Sequence, residues 1–102
     1  MFARMTVARP QPERIDDAVA MAKDVFAASA QQQPGYRGFL LFVDRHAQQL
    51  TGISLWESDA DRQASAGASG YYQHGVATFA QLLASEPVTT DIDVTMCELR
   101  DA

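Results

Sequence analysis

The chain has 102 residues and a formal net charge of −5, from 8 Lys and Arg residues and 13 Asp and Glu residues. This length predicts a single domain over residues 1–102. The negative charge and the few basic residues disfavour a nucleic-acid interface, which needs a stripe of Lys and Arg. Cys97 is the only cysteine and cannot form an internal disulfide, and no apolar run approaches the ~20 residues that cross a bilayer. We therefore expect a cytoplasmic protein with no nucleic-acid partner and no membrane partner.

The first predicted elements are a strand and an amphipathic helix. Residues 2–9 alternate between apolar and polar side chains, with Met5 and Val7 on one face and Arg4 on the other, which predicts a half-buried strand. From residue 13 to about residue 30, apolar residues recur every three or four positions. This spacing predicts a helix that lies on a sheet and keeps one face in water.

The second strand is predicted over residues 36–44 and is apolar on both faces. Leu40 and Phe42 point to one side, and Phe39 and Leu41 point to the other. A strand that is buried on both sides needs cover on both. One subunit of this length supplies helices for one face only, so we predict a homodimer in which a second subunit covers the other face.

A third strand over residues 50–57 is predicted to run directly into a second helical region. Ser58 and Asp61 have the spacing of a capping box, in which the serine hydroxyl accepts a backbone N–H. The helix is expected to falter at the Gly- and Ser-rich residues 67–70 and to resume over residues 71–83.

The last predicted element is a strand over residues 88–99, with Ile92, Val94 and Met96 inward and Asp91 on the opposite face. The resulting order β-α-β-β-α-β is the ferredoxin-like plan. The fold class is therefore predicted to be α+β, with a four-stranded antiparallel sheet and two helices on one face.

Three short segments carry a resemblance to a known family. They are Pro-Gly-Tyr-Arg-Gly at residues 34–38, Val-Asp-Arg at residues 43–45, and Gly-Ile-Ser-Leu-Trp-Glu-Ser at residues 52–58, with Ala-Ser following at 64–65. With these segments the chain resembles the antibiotic biosynthesis monooxygenase superfamily, whose members pair as dimeric α/β barrels, and it is most similar to a bacterial branch of that superfamily.

The resemblance implies a ligand between the sheet and the helices. It also implies a cofactor-independent monooxygenase that acts on a small aromatic or quinol-like metabolite, so no cofactor is expected. Such an enzyme needs a dry pocket that stabilises the deprotonated substrate, which then reacts directly with dioxygen.

Trp56 and Arg37 are the candidate site residues on the strands. By resemblance, Trp56 walls the pocket and offers a flat surface and an indole N–H donor, whereas the alternative is that it packs a helix onto the sheet edge. Its alternation partners Gly52 and Ser54 are small and leave room on that face for a ligand or a partner subunit. Arg37 is a candidate to stabilise an anionic substrate or an enolate, and the alternative is an ion pair with an acid such as Asp44.

Tyr72 and His74 are the candidate site residues on the second helical region. The Tyr72 phenol is placed to hydrogen-bond a quinol or phenolate, with core packing as the alternative. His74 lies near the iron ligand of haem-binding relatives by resemblance. At ~100° per residue it lies about 200° from Tyr72, so a solvent-facing histidine is the alternative.

Two other functions remain open. A non-catalytic ligand-binding or stress-response protein on the same dimeric barrel is favoured by the lack of a convergent acid–base pair. Haem binding or degradation is the weaker alternative, because haem-degrading relatives use an Asn on the first strand and a Trp in the second helical region. This chain has no Asn, and Ser65 lies close to the position of that Trp. A structural zinc site is not expected.

Overall fold

A computed structural model of the chain describes residues 1–65 and 71–100, and of residues 71–74 and 76 it describes the backbone only. The strands are β1 (Phe2–Ala8), β2 (Tyr36–Asp44), β3 (Gln49–Trp56) and β4 (Val88–Asp93). They form one antiparallel sheet in the order β2-β3-β1-β4. This order confirms the predicted ferredoxin-like fold class, in which the first and third strands pair at the centre of the sheet.

The predicted first helix is present but is not a regular α-helix throughout. It consists of α1 (Ile15–Met21), a π-helical segment (Ala22–Ala27) and α2 (Ala28–Ala30), which follow one another without a break. A π-helical turn is wider than an α-helical turn, and such turns are frequent at functional sites. Here the π segment contributes Ala22 and Phe26 to the side that faces the sheet.

The second helical region consists of α3 (Asp59–Ser65) and α4 (Tyr71–Ala80). Its predicted cap is confirmed: the Ser58 hydroxyl accepts the backbone N–H of Asp61 at 3.1 Å and donates to the Asp61 carboxylate at 2.9 Å. The predicted break at residues 67–70 lies outside the described residues. The helix ends at Ala80 rather than at residue 83, because Leu83 leaves it to form a bridge with Pro10.

The core lies between one face of the sheet and the helices. One cluster joins Phe79 and Leu83 to Ala8, Ala18 and Leu50. A second cluster contains Ala30 and Trp56, with Phe26, Tyr36 and Phe39 packed against it. Burial of these side chains is the main force that holds the helices on the sheet.

The opposite face of the sheet carries apolar side chains in water. Phe42 is 51 % exposed, and Val88 and Ile92 are also exposed. The prediction that Ile92 and Met96 point inward was wrong, because β4 ends at Asp93 and it is Asp91 that contacts side chains on the helix side. Strict alternation fixes which residues share a face, but not which of the two faces the helices cover. Within the described part of the chain, no helix has the length and hydrophobicity needed to span a membrane.

Candidate functional site

A cavity of about 70 Å³ lies between the sheet and the helices. Its described walls come from β1, β2, β3, the π segment, α4 and the segment before β4. The lining residues are Arg4, Thr6, Ala8, Ala22, Phe26, Phe39, Leu41, Leu50, Gly52, Ser54, Phe79 and Pro87. Because most of these side chains are apolar, the cavity has the composition expected of a small-molecule site, in which a few polar groups orient the ligand.

Aromatic rings form much of the wall. Phe26 of the π segment meets Phe79 of α4 edge-to-face, with 5.2 Å between ring centroids and an interplanar angle of 86°. Gly75 makes this arrangement possible, because a Cβ at that position would lie 2.7 Å from Cε1 of Phe26. Phe39 lies on the sheet, and its ring packs over Gly52, which has no side chain. These rings offer edges and faces suited to a flat, unsaturated ligand.

The polar residues lie together on the two central strands. Arg4 of β1 is directly opposite Ser54 of β3, and Thr6 is directly opposite Gly52. Residues that face each other in this way have Cβ atoms about 5 Å apart. Among the described residues, the polar side chains of the cavity therefore form one stripe across the two central strands.

Ser54 and Trp56 are connected by a buried hydrogen bond. The indole Nε1 of Trp56 donates to the Ser54 hydroxyl at 2.8 Å. Trp56 is 0 % exposed and packs against Ala30, with Tyr36 edge-on at 6.2 Å between centroids. It does not line the cavity, whereas Ser54 does. Trp56 thus supports a cavity residue from behind.

Arg4 is held by a network of buried polar groups. Its side chain is 4 % exposed, Nη1 donates to Ser65 Oγ at 2.8 Å, and Nη2 donates to the Arg62 carbonyl at 2.8 Å. Its Nε lies 3.4 Å from Asp91 Oδ1. Ser65 in turn donates to the Arg62 carbonyl at 2.6 Å. A buried charge is tolerated only when it is paired and hydrogen-bonded, and this network fixes the guanidinium beside the cavity.

Arg62 extends the same network towards the protein surface. It forms ion pairs with Asp59 and, at 3.9 Å, with Asp91, and its guanidinium lies 5.7 Å from the centroid of the Phe2 ring. Its Nε is buried and has no hydrogen-bond partner among the described residues. The carboxylates and the two arginines together keep the buried region close to neutral.

The structure describes the side chains of two of the four predicted site residues, Arg37 and Trp56. Arg37 lies at an irregularity of the β2–β3 register, is 51 % exposed, and forms an ion pair with Glu57 at 2.6 Å. This is the predicted alternative of an ion pair, with Glu57 in place of Asp44. Neither Arg37 nor Trp56 lines the cavity. Tyr72 and His74 belong to α4, and their side chains lie outside what the structure describes.

Sequence reasoning missed Arg4 as a cavity residue. The alternation of β1 placed it opposite the apolar face, which normally indicates a solvent-facing side chain. The available signal was the acid at Asp91, because a charged pair on two neighbouring strands is compatible with burial. The room left by Gly52 and Ser54 was predicted correctly, and it lies on the cavity side.

The described residues contain no group of three or more His, Cys, Asp and Glu side chains that could hold a metal ion. The described lining of the cavity offers apolar contact, the buried cation of Arg4 and the hydroxyl groups of Thr6 and Ser54. Such a site suits an aromatic molecule with a polar or negatively charged oxygen.

Comparisons with known proteins give similarity in structure only. No family model and no curated protein sequence matches the chain. A monooxygenase from Streptomyces coelicolor, solved in complex with nanaomycin D, superposes with a TM-score of 0.80 at 14% identity, over 98% of this chain and 92% of that one. A protein from Deinococcus radiodurans, provisionally assigned as an antibiotic biosynthesis monooxygenase, gives 0.79 at 12% identity over 100% of both chains.

A further crystal structure described as an antibiotic biosynthesis monooxygenase gives a TM-score of 0.76 at 18% identity, over 94% of this chain and 100% of that one. At such identities the likeness extends to the fold and not to individual residues. The fold that the resemblance predicted is confirmed, and the chain has the fold of the antibiotic biosynthesis monooxygenases.

Proposed function

We propose that the chain is a cofactor-independent monooxygenase of the antibiotic biosynthesis monooxygenase superfamily, acting on a small aromatic or quinol-like metabolite. The observation that carries the proposal is the cavity, whose lining includes Phe26, Phe39 and Phe79 together with the buried side chain of Arg4. An aromatic body fits the rings, and the cation favours the anionic form of a phenol or an enol.

The chemistry requires little of the protein beyond binding and charge stabilisation. An activated CH₂ group of an anthrone-type substrate loses a proton, and the carbanion or enolate that forms reacts with dioxygen. One oxygen atom enters the product as C=O and the other leaves as water, so that R₂CH₂ and O₂ give R₂C=O and H₂O. A fixed cation beside the cavity stabilises the enolate oxygen, because the cation needs no reorganisation as the charge develops.

The Streptomyces coelicolor structure supports the ligand class. That protein is a monooxygenase of the same fold, and it was solved with nanaomycin D bound. We infer an aromatic ligand for this chain from the combination of that fold and the phenylalanine-lined cavity.

The proposal keeps Tyr72 and His74 as hydrogen-bond or proton-transfer groups that α4 contributes, and it gives Trp56 a role through Ser54. Arg37 is proposed to act on a ligand only if its ion pair with Glu57 opens. The variants Tyr72→Phe and His74→Ala test the proposed roles of these two residues. A fall of tenfold or more in kcat supports a role in proton transfer, which typically contributes 10²–10⁴-fold, and unchanged kcat in both variants removes it.

A cytoplasmic homodimer belongs to the same proposal. The helix-free face of the sheet carries exposed Phe42, Val88 and Ile92, and a second copy of this face is the cover that the pattern of β2 predicts.

Oxygen uptake by the purified protein tests the function. We expect consumption of dioxygen with at least one member of a panel of anthrones and hydroquinones. Absorbance should show conversion of an anthrone to its anthraquinone, or of a hydroquinone to its hydroxylated quinone. Leu41→Trp fills the cavity and should abolish the turnover, whereas Ala47→Trp adds the same bulk on the exposed β2–β3 loop and should leave it unchanged. Absence of oxygen uptake above the protein-free rate across the panel would contradict the proposal.

A non-catalytic ligand-binding protein is the second candidate. It is favoured because the described residues that line the cavity include no carboxylate and no imidazole to act as a general base. Saturable binding of the same anthrones, together with no oxygen uptake, would select this candidate over the first.

A further inference from the structure

We infer that Ser54 presents its hydroxyl proton to the cavity and thereby selects ligands that carry a carbonyl or enolate oxygen. The inference rests on the proposed function, because it assumes that an aromatic ligand occupies this cavity. It adds to the proposed function that a carbonyl or enolate oxygen of the ligand is recognised, and that Ser54 recognises it.

The hydrogen bond from Trp56 fixes the direction of the Ser54 hydroxyl. An indole N–H can only donate, so Ser54 Oγ must accept it, and this contact measures 2.8 Å. The hydroxyl proton must then point away from Trp56. Among the described residues it has no acceptor, and Ser54 is 3 % exposed and lines the cavity. A ligand oxygen is therefore the partner that this proton lacks, because a buried polar group without a partner is costly.

Arg4 adds a preference for negative charge at the same place. It lies directly opposite Ser54 in the β1–β3 register and also lines the cavity. Its hydrogen bonds to Ser65 and to the Arg62 carbonyl and its ion pair with Asp91 fix its position, so it contributes the positive end of a fixed ion pair. This positive end favours the negative end of a C=O dipole or an enolate oxygen and disfavours an ammonium group.

The other described walls do not compete for this oxygen. Among the described residues, the cavity surfaces away from the polar stripe are phenylalanine rings and aliphatic side chains. The cavity of about 70 Å³ is partly open, so an aromatic ketone can place its oxygen at Ser54 and one ring edge among these side chains, with the rest of its body at the cavity mouth. A hydrocarbon of the same shape gains the apolar contacts but leaves the Ser54 proton unbonded.

The test uses 1-tetralone and tetralin, which differ by one carbonyl oxygen. Binding to the ¹⁵N-labelled full chain is measured by chemical-shift titration. We expect 1-tetralone to bind about three- to tenfold more tightly than tetralin, the range for one neutral hydrogen bond. In Ser54→Ala the ratio of the two affinities should fall to about one, while tetralin affinity stays within twofold. Thr51→Val removes a hydroxyl from the opposite face of β3 and should leave the ratio unchanged.

A second variant separates selection from folding. Trp56→Phe removes the indole donor and lets the Ser54 hydroxyl rotate, so the affinity ratio should fall to an intermediate value. A purely structural defect would weaken the binding of both probes equally and would not change the ratio of their affinities. This ratio is therefore the readout, even if Ser54→Ala lowers the stability of the protein. Equal affinity of the wild type for both probes overturns the inference and leaves the proposed function standing. Failure of both probes to bind the wild type overturns the proposed function together with the inference.

Discussion

The contact between α4 and the π segment provides a sharp test of the packing. Gly75 lies within α4, and a Cβ at this position would lie 2.7 Å from Cε1 and 2.8 Å from Cζ of Phe26. The ring must shift to admit a methyl group, although Phe79 is packed against it at 5.2 Å. Overpacking of this kind costs about 1–3 kcal/mol. Alanine is favoured over glycine within a helix by about 1 kcal/mol. Gly75→Ala should therefore lower the free energy of unfolding by about 0–2 kcal/mol.

The sign of this effect should reverse when the obstructing atoms are removed. Leucine at position 26 lacks the atoms that correspond to Cε1 and Cζ, so the clash disappears and the helix propensity remains. In a Phe26→Leu background, Gly75→Ala should raise the free energy of unfolding by up to about 1 kcal/mol. The double-mutant cycle should then show a favourable coupling of about 1–3 kcal/mol.

Urea unfolding of the wild type, both single variants and the double variant, followed by circular dichroism at 25 °C, measures this coupling. The cycle cancels the cost of the cavity that Phe26→Leu itself creates. Additive effects within about 0.5 kcal/mol would mean that residues 26 and 75 are not in contact, and the described packing of α4 on the π segment would be wrong.

Three further predictions concern other parts of the fold. Ser58→Ala removes the hydroxyl that accepts the Asp61 N–H and should lower the free energy of unfolding, measured in urea, by about 1 kcal/mol. An unchanged free energy of unfolding would show that the cap is not formed in solution. Gly35→Ala should be more damaging than Ser58→Ala in the same assay, because Gly35 has φ +78° and its added Cβ would overlap the Asp61 carboxylate. Phe42→Lys places a charge on the helix-free sheet face and should convert a dimer to a monomer in sedimentation velocity. A wild type that is already monomeric at micromolar concentration contradicts the proposed homodimer, and His46→Lys on the adjacent loop serves as the charge control.

Local patterns determined the elements of this protein. The apolar spacing of residues 13–30, the alternation of β1 and the capping pair of Ser58 and Asp61 each encode structure through interactions between near neighbours. Proline and glycine at residues 34–35 mark the turn that precedes β2, where a positive φ is in fact observed at Gly35. The order of these elements was sufficient to predict the ferredoxin-like plan.

The candidate site could be predicted only in part. The small residues Gly52 and Ser54 indicated space on one face of β3, and the cavity lies there. Trp56 was correctly placed at the end of that strand, but its burial behind Ser54 depends on contacts with Ala30 and Phe39, which are distant in sequence. No local pattern states whether a tryptophan lines a cavity or supports a residue that does.

Tertiary structure alone decided which face of the sheet the helices cover. Alternation groups Arg4 with Thr6, and Asp91 with Asp93, but it is symmetric with respect to the two faces of a strand. The pairing of β1 with β3 and β4 brought Arg4 beside Ser54 and Asp91, and α3 added Ser65 to complete its hydrogen bonds. An arginine that the sequence indicated as solvent-facing thereby became the buried cation of the cavity, because burial of a charge depends on partners that only the folded chain brings together.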